Sequence, residues 1–496
     1  MPHVVTQACC GDASCVYACP VNCIHPTPEE HDFDTAEMLY IDPATCVDCG
    51  ACVSACPVGA IVPGHRLADT QERFADLNAL AFEPSATGAA RFPVDPTYRL
   101  PLAPIDKPRG IDVEGPVSVG IVGSGPSAMY AADELLRHPQ VSVTVYERLR
   151  RPFGLARYGV APDHTATRTV MRLFDEIARH PRCEIRLGTT VGRDVSLDDL
   201  RTRHAAVIWA GGASSDRRLD IENASAPGVL SATSLVGWYN DRPDYDNLAV
   251  DLSGERVVVV GNGNVALDVA RVLTADPERL AGTTISRHAL AALRSSRVGE
   301  VVVVGRRGPE HAAFTLPELV GLVDGGANVV VDPADLAGAH AGDPITRAKL
   351  ELLGEVSRTA ARRGPRIRFV FGRAPQSVVV DDAGHVSGIR FTRDDASEVI
   401  DTRLVLTSIG YRGIEVPGLP FDDARGIVPN AAGRVLRDDT PVPGAYVTGW
   451  IKRGPSGFIG TNKTDSAETV ASLLADLESG ALAIPPRPRR RLLARF

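Results

Sequence analysis

Between Cys46 and Pro57 the chain reads CVDCGACVSACP. Four cysteines spaced C-x2-C-x2-C-x3-C and followed by proline place four soft, ionisable sulfurs on one tight loop, the spacing that wraps thiolates around an iron-sulfur cubane. The loop's backbone N–H groups point at the sulfurs and tune the potential, while the proline stops a helix from running on. The N-terminus repeats the run imperfectly as CCGDASCVYACP. Cys9 aligns with Cys46, Cys15 with Cys52, Cys19 with Cys56, Pro20 with Pro57 and Ile24 with Ile61, but Asp12 stands opposite Cys49. In such doubled runs the fourth cysteine of each ligates the other cluster. Cys46, Cys49, Cys52 and Cys19 are therefore expected to hold one 4Fe-4S cluster. Cys9, Cys15 and Cys56 are expected to hold a further 4Fe-4S or 3Fe-4S cluster, with Asp12 opposite its fourth iron. Zinc knuckles and disulfide frameworks also use closely spaced cysteines, but a doubled run with proline after each fourth cysteine argues against both. Cys10 and Cys23 fall outside the rhythm and read as small buried hydrophobes, with Cys10 as the alternative to Cys9, or to Asp12 at the open corner.

Two later stretches carry a different chemistry. VSVGIVGSGPSAMYAADELL, from Val117, is an apolar strand running into Gly123-Ser124-Gly125, then Ser127 and Ala128, then a helix with apolar residues at helical spacing. That order places a diphosphate on a helix N-terminus, where backbone N–H groups and the dipole favour anions. A second strand, VSVTVYE, ends in Glu147, where a carboxylate binds ribose hydroxyls. The pattern recurs in RVVVVGNGNVALDVARVL with Gly261, Gly263 and Ala266, but the next strand, EVVVVG, ends in Arg306-Arg307. An acid there repels the 2′-phosphate of NADP, whereas paired guanidiniums hold it. This strand arrives late because a helical insert, ISRHALAALRSSR, intervenes. The two turns predict FAD at the first and NADP(H) at the second.

The elements that position these residues follow from the pattern. The chain of 496 residues has room for about three domains, and 44% apolar with 23% charged residues is an ordinary globular composition. The predicted fold is α/β: two Rossmann-like dinucleotide-binding domains preceded by a small α+β two-cluster domain over residues 1–65. Residues 66–115, including the Pro- and Gly-rich PLAPIDKPRGIDVEGP, read as a linker, and the basic tail PPRPRRRLLARF as a solvated arm. Nine of ten cysteines lie in the first 56 residues, so the thiols serve a local site. With no apolar run of bilayer length and no secretory signal, a cytoplasmic, reducing setting without membrane insertion is expected. Residues 1–65 hold eight acids and no Lys or Arg, equal to the whole formal charge of −8, while the remaining 53 acids balance 53 bases. The first segment is thus steered towards basic partner surfaces, and no domain is basic enough to suggest nucleic acid.

Many flavoproteins with two nucleotide sites deliver electrons to a cysteine pair, but from residue 66 onward only Cys183 remains. The N-terminal clusters are then the outlet. NADPH gives up a hydride and a cluster accepts one electron at a time, so a flavin must sit between them.

GSGPSAMYAADELL, GVAPDH, GNGNVALDVAR, GRRGP, FTLPEL, SIGYRG and GWIKRGPSGFIGTNK together resemble adrenodoxin reductase and its bacterial relatives, the NADPH-ferredoxin reductases. The N-terminus resembles a bacterial seven- or eight-iron ferredoxin, and the whole is similar to the mycobacterial-type fusion of ferredoxin with ferredoxin–NADP reductase. The resemblance implies an FAD domain split into 116–225 and 405–496, with an NADP domain, 226–404, inserted. It places Leu155, Val191, Trp450, Gly457, Phe458 and Ile459 beside FAD. Arg217, Asn262, Gly263, Asn264, Val265, Arg306, Arg307, Glu318 and again Gly457 would contact NADP. His164 lies near the flavin in relatives and is the candidate for proton handling. Relatives can carry an acid one turn after the position of Glu318; here that residue is Gly321, which puts a His-plus-acid relay in doubt. The implied activity is an NADPH-dependent flavoprotein oxidoreductase serving a one-electron acceptor such as a ferredoxin or a cytochrome P450. Competing readings are a glutamate-synthase-type electron-input subunit and a redox sensor without turnover.

Overall fold

The computed structural model describes residues 2–83, 92, 111–393 and 396–485. They divide into two compact units. The larger holds the described residues of Met1–Ala103, Arg157–Thr169 and Asp216–Gly410; the smaller holds those of Pro104–Ala156, Val170–Ser215 and Tyr411–Phe496.

At the start of the larger unit the internal repeat is visible in the backbone. Helices Ser14–Ala18 and Ala51–Ala55 each begin after a left-handed residue, Ala13 (φ 57°) and Gly50 (φ 73°). Each ends on the fourth cysteine of its run, with φ/ψ of −77°/117° at Cys19 and −79°/116° at Cys56. Strand His3–Val5 pairs antiparallel with Ile61–Pro63, and Ile24–His25 with Tyr40–Ile41.

The expectation of a linker over 66–115 needs correction for its described part. Arg73–Leu80 is a helix with Phe74, Leu77 and Asn78 buried. Asn78 acts as a strand would: its Oδ1 accepts from Val5 N (3.2 Å) and Ile41 N (2.9 Å), and its Nδ2 donates to Val5 O (2.9 Å). Phe92 is also buried, its ring stacked 6.0 Å from His25 and 6.2 Å from Tyr40. Pro and Gly set the texture of the later linker sequence, but a short amphipathic helix hides from a composition argument. Residues 101–110 of the linker and all of the basic tail after Pro485 lie outside the described residues.

The rest of the larger unit is built on a six-stranded parallel sheet in the order Val229–Ser231, Leu404–Thr407, Arg256–Val260, Glu300–Val304, Arg366–Val370, Val329–Val331. Its central strands are runs of valine buried on both faces, as crossover helices on each side require. The helical insert forms as expected over Arg287–Arg294, with Ser286 accepting from Ala289 N at 3.2 Å as its N-cap.

The smaller unit is a seven-stranded sheet. Val117–Val122, Val141–Glu147, Cys183–Leu187 and Ala206–Trp209 run parallel, and Thr440–Val447 from the far end of the sequence joins Ala206–Trp209 in parallel register. The C-terminal helix Thr461–Glu478 packs on the helix Pro126–Leu136. Among the described residues no helix is long and apolar enough to cross a membrane.

Candidate functional site

The cysteines converge as the repeat requires. Cys19 from the first run meets Cys46, Cys49 and Cys52 of the second around a small cavity. Cys15 lies within electrostatic reach of Cys9, Asp12 and Cys56. Burial pushes the thiols of Cys9 and Cys52 up to about 11, and those of Cys10 and Cys15 well above their usual value. Buried thiols crowded together resist ionisation unless a metal supplies the compensating charge, so this donor set fits iron-sulfur ligation. Cys19 is the exception. A hydrogen bond from Cys23, 3.4 Å between sulfurs, and backbone N–H groups bring it down to about 6 against the effect of burial. The N–H of the fourth residue after each run's last cysteine points at its sulfur: Cys23 N to Cys19 Sγ at 3.4 Å, Ala60 N to Cys56 Sγ at 3.2 Å. Such N–H···S contacts tune the potential of a cluster bound to these sulfurs.

Asp12 is buried, and its carboxylate accepts from Ser14 Oγ at 2.5 Å and Ser14 N at 3.4 Å. Cys10 is buried beside it, and the charge of Asp12 adds to burial in raising its thiol. Cys23, read from the sequence as a small buried hydrophobe, lines the cavity of the second set; its position opposite Ala60 in the repeat concealed it.

Both glycine turns take the form that brings backbone to phosphate. Gly123 has φ +96°, and a Cβ there would sit 2.7 Å from Ala210 O; Gly261 has φ +112°, and a Cβ would strike Ser408 O. The helices that come next, Pro126–Leu136 and Asn264–Thr274, have no side-chain cap, their N-caps being Gly125 and Gly263. Elsewhere Ser196, Ser231, Asp276, Ser286, Thr315 and Asp343 cap helices with their side chains. Several other helices, Ser14–Ala18, Ala51–Ala55 and Thr461–Glu478 among them, also lack a side-chain cap; the two that follow the glycine turns keep their N–H groups for an anion.

In the smaller unit Glu147 is buried and spoken for on both oxygens: one accepts from Ser124 N (3.1 Å) and Ser124 Oγ (2.5 Å), the other from Leu149 N (2.7 Å). Ala128 is buried. Gly154, beside Leu155, presses on Gly125, where its Cβ would lie 2.9 Å from the Cα. Val191 bridges Val195 and packs against the apolar cluster that includes Val416 and Ile451. Ser127 fastens the first helix to the C-terminal segment: its Oγ donates to Asn462 Oδ1 at 2.7 Å, and its carbonyl accepts from Ser466 Oγ at 2.9 Å. Trp450 donates its indole N–H to Ser456 O at 3.0 Å and lies 5.1 Å from the Tyr411 ring. Gly457 is in the same unit, with φ +79°; next to it Phe458 N donates to Thr461 Oγ1 at 3.0 Å, and Ile459 O accepts from Asn462 Nδ2 at 3.0 Å.

In the larger unit Arg306 and Arg307 are exposed at the C-terminal end of Glu300–Val304, with no ion-pair partner among the described residues. Asn264 holds Thr315, accepting from its N at 2.8 Å, and Asn262 accepts from Ala313 N at 3.4 Å. Val265 is half-buried at the start of the second helix. Arg217 N donates to Gly410 O at 3.0 Å.

His164 comes together with Glu318 and with a residue that sequence reasoning missed. Asp268, on the second dinucleotide helix, faces His164 Nε2 at 3.7 Å. An acid beside His164 therefore exists despite Gly321, contributed by a different helix; its place one turn into GNGNVALDVAR was the available signal. Arg271 binds Asp268 at 2.7 Å and Asp163 at 2.7 Å, supplying the positive charge that a cation among these carboxylates would otherwise provide. Burial raises Glu318 above the usual carboxylate range, opposed by the charge of His164, and Gln7 Nε2 donates to its Oε2 at 2.7 Å.

A cysteine-lined cavity joined in one chain to two uncapped glycine turns defines a pyridine-nucleotide oxidoreductase with an iron-sulfur segment, and the relatives agree. The 4Fe-4S dicluster domain family matches residues 8–60, and the NAD(P)-binding Rossmann-like domain family residues 121–182. The chain is 53% identical to the probable ferredoxin/ferredoxin–NADP reductase of Mycobacterium tuberculosis, over 98% of this chain and 85% of that one. It is 42% identical to human mitochondrial NADPH:adrenodoxin oxidoreductase, over 74% and 80%. The solved structure of Mycobacterium tuberculosis FprA in complex with NADPH is similar with a TM-score of 0.71 and 40% identity, over 74% of this chain and 87% of that one. The chain belongs to the ferredoxin/ferredoxin–NADP reductase family.

Proposed function

We propose that the chain oxidises NADPH and delivers the electrons through FAD to its own iron-sulfur segment, and from there to a one-electron acceptor protein, a ferredoxin or a cytochrome P450. The observation that carries this reading is the coexistence of the crossed cysteine set with two uncapped glycine turns of different strand ends. When bound, the flavin accepts the electron pair of NADPH and the clusters carry electrons singly.

The residues divide the work. Arg306 and Arg307 grip the 2′-phosphate, and the N-terminus of Asn264–Thr274, with Asn262, Gly263 and Val265, holds the diphosphate; Arg217 joins the NADP contacts. The turn Gly123–Gly125 with Ser127 receives the FAD diphosphate. Glu147 fixes the shape of that turn and orders the loop that meets the ribose. Leu155, Val191, Trp450 and Gly457–Ile459 border the flavin. Sheet membership of Thr440–Val447 beside Ala206–Trp209 supports the split FAD domain with its NADP insert. His164, with Asp268 facing its Nε2, is the candidate for proton handling, and Glu318, hard to ionise in its buried position, presents a carboxyl towards the nicotinamide end. Cys19, Cys46, Cys49 and Cys52 hold a 4Fe-4S cluster; Cys9, Cys15 and Cys56 hold the second, with Asp12 at its labile iron. A carboxylate is a harder and weaker iron ligand than a thiolate, so a cluster held by these residues would give up the iron opposite Asp12 most readily.

Anaerobic titration with NADPH, followed by absorbance and electron paramagnetic resonance, tests the reading. Flavin bleaching followed by a reduced-cluster signal is expected, together with repeated turnover of a one-electron dye. Bleaching that stops at the flavin, with no cluster signal and no turnover, would leave a sensor in place of an enzyme.

A further inference from the structure

Helix Leu316–Asp324 carries a glycine in its interior, Gly321, where glycine is the poorer helix former. Its backbone angle is ordinary, so conformation does not demand it. Space does: the three atoms nearest to a Cβ at 321 are the oxygen, carbon and nitrogen of the Gln7 carboxamide. Gln7 belongs to the N-terminal iron-sulfur segment, and its Nε2 donates at 2.7 Å to Glu318, one turn earlier on the same helix. Other contacts surround this notch. Glu37 Oε2 accepts from Leu316 N at 2.8 Å, and Arg73 reaches Asp324 at 3.2 Å and Glu355 at 2.9 Å. Thr167 Oγ1 donates to Ala8 O at 3.5 Å, and Thr169 Oγ1 to Pro57 O at 3.2 Å. Ala8 and Pro57 adjoin Cys9 and Cys56, so that end of the segment lies against the reductase, while Cys49 is exposed.

We propose that Gly321 is the seat of the chain's own ferredoxin segment: the missing side chain admits Gln7, and the Gln7–Glu318 bond locks the Cys9/Cys56 end of the segment onto the helix. The seat makes the tethered ferredoxin, and not one from solution, the occupant of this face. Gln7 is thereby a positioning residue for the buried carboxyl of Glu318. The inference rests on the ferredoxin–reductase reading above and deepens it.

The test is Gly321→Ala in the full-length, cofactor-loaded protein. Alanine strengthens the helix, so folding is not at risk. The added methyl either expels Gln7 or turns it away from Glu318, and both break the lock. Amide hydrogen exchange over residues 3–9 and 164–169 should quicken about tenfold as the segment opens. NADPH-driven cytochrome c reduction should fall about tenfold as the docked population drops, with ferricyanide reduction within about twofold. Gln7→Ala alone should open the same amides to a similar extent, and adding Gly321→Ala to it should change little further, which a role for Gly321 confined to its own helix would not allow. Unchanged exchange in Gly321→Ala, or losses in the two single variants that simply add in the double, overturns the seat. Exchange requires no turnover, so a wild-type protein that failed to reduce ferricyanide would count against the reductase reading alone.

Discussion

The two dinucleotide turns share one backbone device and differ at the end of the neighbouring strand. At both, a left-handed glycine packs against a nearby carbonyl, Ala210 O or Ser408 O, and leads into an uncapped helix N-terminus. At the first turn the next strand ends in Glu147, buried and bonded to Ser124 and Leu149. At the second it ends in Arg306 and Arg307, both exposed. The common part positions a diphosphate whatever the nucleotide. The first strand end is bonded into its own turn; the second leaves its charges open to solvent.

The largest effect should come from erasing that difference. Changing Arg306 and Arg307 to Ala is expected to weaken NADPH binding by roughly 2 to 4 kcal/mol, the worth of two charge-assisted hydrogen-bonding groups, with NADH nearly unaffected. Equal losses for both coenzymes in equilibrium titrations would remove the arginines from 2′-phosphate recognition.

A second contrast concerns acid stability. Beneath the first turn His204 is buried between Ser118 Oγ (2.8 Å) and Tyr146 Oη (2.9 Å), and burial, with Arg186 and Arg203 nearby, lowers it to about 4. The unfolded chain binds this proton near pH 6.5 and the folded one only near 4. Stability is therefore full above about 6.5 and is lost as pH falls between these values, by up to about 3 kcal/mol. Denaturant unfolding of the smaller unit at about pH 7 and about pH 4.5 checks this, and His204→Gln should flatten the slope.

The cysteine runs repeat the lesson, with matched helices and cap angles but Asp12 opposite Cys49. Asp12→Cys should complete the second run's pattern in the first and suppress the 3Fe resonance of aerobically purified protein, while Cys10→Ser changes little. Loss of the cluster in Cys10→Ser, with no effect from Asp12→Cys, would transfer the fourth ligand to Cys10. The smallest effect belongs to Arg73→Ala. As a partly exposed ion pair, Arg73 should contribute less than about 1 kcal/mol to holding the segment, a contribution erased by salt. Hydrogen exchange with and without added chloride measures it.

What the sequence disclosed were features with a local signature: the doubled cysteine rhythm, the strand–glycine–helix order, the arginine pair at a strand end. What it withheld depends on pairs far apart in the chain. Asp268 faces His164 only because two segments meet in space, and Gln7 fills the space at Gly321 for the same reason. Cys23, which breaks the repeat, is buried as its reading as a small hydrophobe requires, but its place against the cavity of the second set depends on the folded loop. Glu147 was legible as a strand-end acid, but its bonds to Ser124 and Leu149 were not. The helix Arg73–Leu80 was concealed by the loosened pattern after Ala60.

That helix sets where this molecule can be cut. Through Asn78 one carboxamide closes the open edges of two short strands, at Val5 and at Ile41. A ferredoxin excised at residue 65 loses it, and the backbone groups of Val5 and Ile41 then present bare edges to any neighbouring chain, the usual template for aggregation. A graft ending after residue 83 carries its own edge protection. The portable electron-carrying cassette in this gene is therefore longer than its cysteine motifs suggest, and transplants into other reductases should be drawn to that boundary.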